Sequence, residues 1–460
     1  MIKVITYGTY DLLHYGHIKL LERAKALGDY LIVGVTSDDF DKQRGKINVQ
    51  QTLEERVAAV RATGLADKII IEEYEGQKID DIKKYGIDIF TVGSDWKGYF
   101  DYLKEYCQVI YLPRTQGVSS TEIRDNKSHI RFGLVGYANY LNRVFKECQF
   151  VNGVKINGLC AENTAELSQE LLKIDNVTRD YTSFLSTVDA VYIHSHPDKH
   201  YEEVKQALLA GKHVMCESPI AENKEQCEEL IQLANENNLV LMDSLRTAYS
   251  TAFSRMLLLI KGGKIGDVVS IDATCTSLNT NSTLEELKDL RWSSMTAWGP
   301  TAMLPIFKVL GTDYSSATIT SKCEMDPTDK KINTQMDDFS EIVFRYAHAL
   351  ATIKVGSGVK SEGELIISGT KGYVYVPAPW WKTDYFEIRY ENPADNKRYF
   401  YQLDGEGIRY EWVAFVKMIN AVNSNEAGEE KYIDNIERYV SIRTCEVMDD
   451  FLSGKNVFYI

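Results

Sequence analysis

Short apolar, β-branched runs alternate with helical patterns through the first 127 of 460 residues, and that alternation restricts the fold more than any other feature. A run at Ile2–Thr6 is followed by runs at Tyr30–Val35, Lys68–Ile71, Ile87–Val92 and Gln108–Leu112. Between them, Ile18, Leu21, Ala24 and Leu27 recur at helical spacing, and Leu53–Ala62 and Ile79–Lys84 read as further helices. The pattern predicts α/β architecture, a parallel doubly wound sheet with right-handed crossovers. Ligands bind such sheets at the carboxyl ends of the strands. The first strand carries the turn residues Tyr7, Gly8, Thr9, Tyr10 and Asp11 to that edge. The fourth carries Gly93, Ser94, Asp95 and Trp96, and the fifth carries Arg114 to Thr121.

His14-Tyr15-Gly16-His17 follows the first turn and opens a helix. His14 and His17 fall on one face of its first turn, and Gly16 leaves the backbone open to close approach. Two imidazoles over a helix N-terminus make a site for a phosphate whose charge grows during reaction. After the fifth strand, Arg114, Thr115, Gly117, Ser119, Ser120 and Thr121 combine a cation, a glycine and a run of hydroxyls before a helix predicted near Thr121. Such a stretch can wrap a triphosphate. Taken alone, it reads equally as a loop with a Ser/Thr cap.

The net charge of −14 argues against nucleic acid as a bulk electrostatic partner, so any phosphate site must focus its cations locally. The eight cysteines contain no C-x-x-C pair, and no signal peptide or long apolar run is present. These features predict a cytoplasmic protein without a membrane segment and with reduced thiols.

Residues 1–124, from Tyr7-Gly8-Thr9-Tyr10-Asp11 through H-x-G-H to R-T-x-G-x-S-[ST]-T, resemble glycerol-3-phosphate cytidylyltransferases. The resemblance implies attack by a substrate phosphate oxygen on the α-phosphate of CTP, with pyrophosphate leaving. It implies that His14 and His17 stabilise the transition state while Lys46 and Arg114 neutralise the triphosphate. By position, Gly8, Thr9, Tyr10, Asp11, Asp95, Trp96 and the 114–121 stretch hold the nucleotide, and Arg44 and Lys78 contact the acceptor phosphate. Arg44 stands where the family has lysine, and Tyr10 where it has phenylalanine, and the first change bears on acceptor choice. Read without the resemblance, Arg44, Lys46 and Lys78 have solvated surface charge as their lesser alternative. Mg²⁺ is implied by the triphosphate, since no metal-ligand cluster stands out.

A second unit begins at Ile130, after a short polar linker at Ile123–Ser128. The strand Ile130–Gly136 leads into a dinucleotide fingerprint that keeps its first glycine, Gly136, but has Ala138 and Leu141 at the other two positions, with Asn139 between. A strand near Lys155–Leu159 ends at Glu162, about where a ribose-binding acid is expected. A strand at Asp189–Ile193 leads to His196, Pro197 and His200. The further order of Ala207–Ala221, Arg246, Gly262–Gly266, Ser368–Gly372 and a late helix at Glu411–Ala421 resembles the Gfo/Idh/MocA oxidoreductases. That resemblance implies a Rossmann domain at 130–245, then an α+β domain at 246–460 with an open, mostly antiparallel sheet. It also implies an NAD(H) or NADP(H) cofactor held by Gly136, Ala138, Asn139, Glu162, His196, Pro197, His200, Glu217 and Pro219.

The departures bear on chemistry. Glu217-Ser218-Pro219 lacks the family's lysine, and the helix before Gly311 lacks its histidine and aspartate. Proton donation then falls to His196, His200, Tyr249 or water, each with an equally good structural role. Two functions follow. One is a bifunctional enzyme joining cytidylyl transfer onto a small polyol or sugar phosphate to reduction of a keto-sugar phosphate or its CDP derivative, for capsule or teichoic-type precursors. The other is a cytidylyltransferase whose second half serves dimerisation or acceptor shaping. A homo-oligomer, a dimer, is expected in either case.

Overall fold

The computed structural model describes residues 1–13, 15–43, 49, 51–74, 76–113, 129–136, 138–161, 168–174, 176–278, 293–325, 332–401, 403–423 and 435–460. The chain divides into two compact units, Met1–His129 and Ile130–Ile460.

In the first unit, β1 (Lys3–Gly8), β2 (Tyr30–Thr36), β3 (Lys68–Glu72), β4 (Ile89–Gly93) and β5 (Gln108–Leu112) form one parallel sheet in the order β3-β2-β1-β4-β5. The order reverses beside β1, so the crevice at its carboxyl end is the topological switch point. β1 runs two residues past the predicted end, because Tyr7 pairs with Gly34 and Gly8 with Val35. β4 starts two residues late. Gly86, at φ +61°, ends the helix Gln77–Tyr85, and Ile87 still donates its N–H to the Ile82 carbonyl. The helix Tyr15–Lys25 keeps acids out of its first turn and ends in Arg23 and Lys25, complementing its dipole. Thr52 and Glu55 form a reciprocal capping box on the helix Leu53–Ala62.

The second unit opens with β6 (Ile130–Gly136), β7 (Val154–Cys160), β8 (Asn176–Thr178), β9 (Ala190–His194), β10 (His213–Glu217) and β11 (Leu241–Ser244). They form a parallel sheet in the order β11-β10-β9-β6-β7-β8. A nine-stranded sheet follows: β12 (Val268–Thr276), β13 (Ser316–Met325), β14 (Ile332–Arg345), β15 (Leu350–Gly356), β16 (Leu365–Gly369), β17 (Tyr373–Val376), β18 (Tyr385–Arg389), β19 (Lys397–Phe400) and β20 (Val457–Tyr459). Its order is β19-β18-β17-β16-β12-β15-β14-β13-β20. Only the β12–β15 and β13–β20 pairings are parallel, so the sheet is mostly antiparallel, as the resemblance implied. The helix Ser294–Leu310 covers one face through Met295, Ala302, Met303, Ile306 and Phe307, which join Ile271, Ile353 and Phe344 in one apolar core. Among the described residues, no helix is long and apolar enough to cross a membrane.

Candidate functional site

The turn after β1 is held from behind. Arg56, wholly buried on the helix Leu53–Ala62, donates to the Thr9 carbonyl at 2.7 Å and the Thr36 carbonyl at 2.8 Å. It also pairs with Asp38 and lies 3.7 Å from Asp41. Thr9 Oγ1 donates to Asp41 at 2.9 Å, and Asp11 accepts the Gln51 N–H at 3.0 Å. The guanidinium therefore satisfies two carbonyls and two acids at the point where the chain leaves the sheet.

On that support, Tyr10 is 1 % exposed at φ +55°. Its ring lies under Gly8, where a Cβ would come within 3.0 Å of it, and meets the His17 ring edge-on at 5.6 Å between centroids. Tyr10 thus forms the floor of the turn, and half-buried His17 stands beside it at the helix start.

Across the same edge, a pocket of about 360 Å³, counting space open to solvent, is lined by Gly8, Thr36, Glu72, Lys78, Trp96 and Phe100. Lys78 lies over the rings of Tyr7 (4.8 Å) and Phe100 (5.5 Å) and pairs with Glu72, which also accepts from Thr36 Oγ1 at 2.9 Å. Lys78 is buried rather than a solvated surface charge. Burial, with Asp81 accepting the Tyr7 hydroxyl at 2.9 Å, holds Tyr7 protonated far above the ordinary phenol range. His14, Arg44, Lys46, the whole 114–121 stretch, the helix predicted near Thr121 and the linker lie outside the described residues, as does the Asp95 side chain.

In the second unit, Gly136 ends β6 at φ +123°, where a Cβ would fall 2.0 Å from the His194 carbonyl oxygen. Only glycine fits there. The helix Ala138–Cys148 begins beyond it with no acid in its first turn. Glu162 and the side chains of Ala138 and Asn139 are outside the described residues. Leu141 is fully buried, so it packs as core.

Along this edge, Tyr140 stacks on His194 at 4.1 Å, and the Arg246 guanidinium lies 5.5 Å from the Tyr140 ring centre. Tyr192 donates to Glu217 at 2.5 Å, and His194 Nδ1 lies 3.8 Å from the same carboxylate. Ser244 donates to Glu411 at 2.7 Å. Burial, with His200 and Arg246 adding to it, holds His194 down to about 3, so it is neutral. Tyr140 Oη, His194 Nδ1, Ser218 Oγ, Arg246 Nη1 and Glu411 Oε1 are sealed from solvent without a hydrogen-bond partner. A glycine at the strand end, an acid-free helix start and unsatisfied polar atoms along the edge fit a bound dinucleotide and a polar substrate.

The expected proton donors fare differently. His200 is buried with Nδ1 2.7 Å from the Pro219 carbonyl and Nε2 3.0 Å from that of Ser195, and burial favours its neutral ring, whose single N–H one of these carbonyls takes. His196 stands at the start of the helix Pro197–Leu209, its Nδ1 2.6 Å from the Asp198 carboxylate. Tyr249 lines a different, largely apolar pocket beside Leu245, Leu304 and Met418.

Sequence reasoning missed Arg56, Glu72, His194 and Glu411. Arg56 shares the buried face with Val60, four residues on, so its place within an apolar stripe was the available signal. The pairing of Glu72 with Lys78 and the approach of Glu411 to Ser244 have no local signature.

Residues 5–126 match the family model described as cytidylyltransferase-like, and residues 130–244 match the oxidoreductase family, NAD-binding Rossmann fold. A glycerol-3-phosphate cytidylyltransferase of Bacillus spizizenii is 54% identical over 130 residues, which is 28% of this chain and all of that protein. One from Bacillus subtilis is 50% identical over 27% of this chain and 96% of its own length. Among solved structures, a 3-ketoreductase from Actinomadura kijaniata in complex with NADP and TDP-benzene superposes with a TM-score of 0.59 at 17% identity. That superposition covers 72% of this chain and all of the other, and it shares the fold.

Proposed function

The chain belongs to the cytidylyltransferase-like family through its first unit and is a nucleotidyltransferase joined to an NAD-binding oxidoreductase domain; from that premise we propose a bifunctional enzyme. Its first unit transfers a cytidylyl group from CTP, accompanied by Mg²⁺, to a small polyol or sugar phosphate. Its second unit reduces a keto-sugar phosphate, or the CDP derivative, with NAD(P)H, toward precursors of surface polysaccharides. The observation that carries the transfer reading is His17 against Tyr10 in the turn at the switch point of the first sheet, the edge where Gly8 also lines a pocket that holds Lys78.

In this reading, the Thr9–Asp11 turn, fixed by Arg56, lines the nucleotide. His14 and His17 donate to the oxygens of the α-phosphate as a phosphate oxygen of the acceptor attacks it and pyrophosphate leaves. Lys46 and Arg114 hold the triphosphate, with Thr115, Gly117, Ser119, Ser120 and Thr121 around base and phosphates. Arg44 and Lys78 hold the acceptor. Positioning and charge stabilisation carry nearly all of such a step.

For the second unit, the reduced nicotinamide supplies hydride when bound, and Gly136 with the following helix start receives the pyrophosphate. The serine at position 218 favours a second reading in which this unit shapes or dimerises the first without catalysing. Incubation with CTP, Mg²⁺ and a panel of sugar and polyol phosphates, following pyrophosphate release, tests the transfer. Loss of reduced-nicotinamide absorbance with keto-sugar phosphates, free or after reaction with CTP, separates the two readings of the second unit. Oxidation establishes a reductase, and binding without oxidation leaves the non-catalytic module.

A further inference from the structure

We propose that Glu217 hands the proton to the carbonyl oxygen reduced in the second unit, and that Glu411, acting through Ser244, stores and returns that proton. This rests on the reading of the second unit as a reductase. It fills the role that the serine at position 218 cannot take and that His200, with both ring nitrogens on backbone carbonyls, is too engaged to take.

The geometry is a short chain of oxygens. Glu411 Oε2 accepts from Ser244 Oγ at 2.7 Å, and that hydroxyl lies 3.5 Å from Glu217 Oε1. Tyr192 donates to the same Glu217 oxygen at 2.5 Å and fixes the carboxylate. The two acids differ in access. Glu411 is wholly buried, with Oε1 unpartnered, whereas the Glu217 side chain keeps 16% of its surface at the sheet edge. Glu217 can therefore meet a substrate, and Glu411 can only act through its neighbour.

Every element packed around Glu411 bears on its charge. β10 brings Glu217, β11 brings Ser244, and β9 brings Tyr192. The helix Ala138–Cys148 brings Tyr140 and the Cys148 thiol, and the segment Arg246–Tyr249 brings the Arg246 cation. Burial, then the Glu217 carboxylate, push Glu411 up to about 8 against the opposing pull of Arg246 and Ser244. The desolvated Glu411 carboxyl is therefore the group that holds the proton which the chain of oxygens passes on.

The step balances. Hydride reaches the carbonyl carbon, the C=O pair moves to oxygen, and that oxygen takes the proton of Glu217 to become a hydroxyl. Glu217 draws its proton from Ser244 Oγ as Ser244 takes the one on Glu411, and before the next turnover Glu411 is refilled along the same chain in reverse, after Glu217 has taken a proton from solvent.

The experiment uses the full chain with Glu217→Gln, Glu411→Gln and Ser244→Ala variants, the last in case loss of the buried acid disturbs folding. Infrared titration should reveal a protonated-carboxyl band that disappears as pH rises through about 8 and is missing in Glu411→Gln. With an active keto-sugar phosphate, wild-type kcat should fall above that pH. Glu411→Gln and Ser244→Ala should lower kcat about tenfold or more and lose that fall, with KM and dinucleotide affinity kept. Glu217→Gln should cost about a hundredfold. Absence of the band, or wild-type kcat and pH profile in Glu217→Gln and Ser244→Ala, overturns the proposal while the reductase stands. Dinucleotide binding without oxidation by the wild-type protein overturns the reductase reading and the proposal with it.

Discussion

Each unit ends its leading parallel strand in a glycine at the carboxyl edge, Gly8 and Gly136, and both edges keep buried polar atoms without a partner, the Thr6 and Tyr10 hydroxyls at the first, yet the charged groups around the two edges are handled differently. In the first unit the buried cations are fully matched: Arg56 by Asp38, Asp41 and two carbonyls, Lys78 by Glu72. In the second, two acids gather around Arg246, and Tyr140, His194, Arg246 and Glu411 each keep a buried atom without a partner. A satisfied network stiffens the loop it holds. An unsatisfied buried polar atom costs about 1–3 kcal/mol, which a ligand or a stored proton can offset. At the first edge the matched cations anchor the turn, and at the second the charged groups themselves keep buried atoms in reserve.

The sharpest way to break this contrast is to unmatch the first edge. Arg56→Met leaves Asp41 and the Thr9 carbonyl buried without their cation, and should cost about 3–5 kcal/mol of first-unit stability, read by chemical unfolding. A loss below about 1 kcal/mol would mean that the network is not what holds the turn. Next in size, His17→Ala should remove about 3 kcal/mol of transition-state stabilisation, a hundredfold or more in pyrophosphate release, while dinucleotide binding persists. His14→Ala should act alike. Near-normal release by either variant would end that assignment.

Gly136→Ala tests the second edge by geometry. With φ +123° and a Cβ 2.0 Å from a carbonyl oxygen, it should destabilise the second unit by about 2–3 kcal/mol in a denaturant titration and weaken dinucleotide binding. The equivalent change at Gly8, facing only the Tyr10 ring, should cost less.

The smallest effect sharpens the contrast by pH. Glu411 is raised in the folded chain from 4.5 to about 8, so the folded state binds the extra proton within that window. Its stabilising contribution is complete below 4.5 and is lost as pH rises to about 8. Glu411→Gln should flatten second-unit stability across that interval in pH-dependent unfolding. An unchanged slope would mean that the acid is ionised in the native protein.

Sequence periodicity determined the first parallel sheet, because strand–helix alternation with short connections leaves few topologies, whereas the second was implied by a family resemblance carried on a few motifs. The sequence also carried the motif at His14 and His17 and the need for glycine at position 136, since those are local: a turn, a helix start, a strand end. The same locality explains the errors of two residues at β1 and β4, where ladder pairing and a glycine cap set the ends. Tertiary structure alone decided which charges are buried and with whom. Arg56 reaches Thr9 from 47 residues away, and Ser244 meets Glu411 across 167. A charged residue in a helix reads as solvated until the fold brings its partner, because burial and pairing are properties of packed elements rather than of the segments themselves.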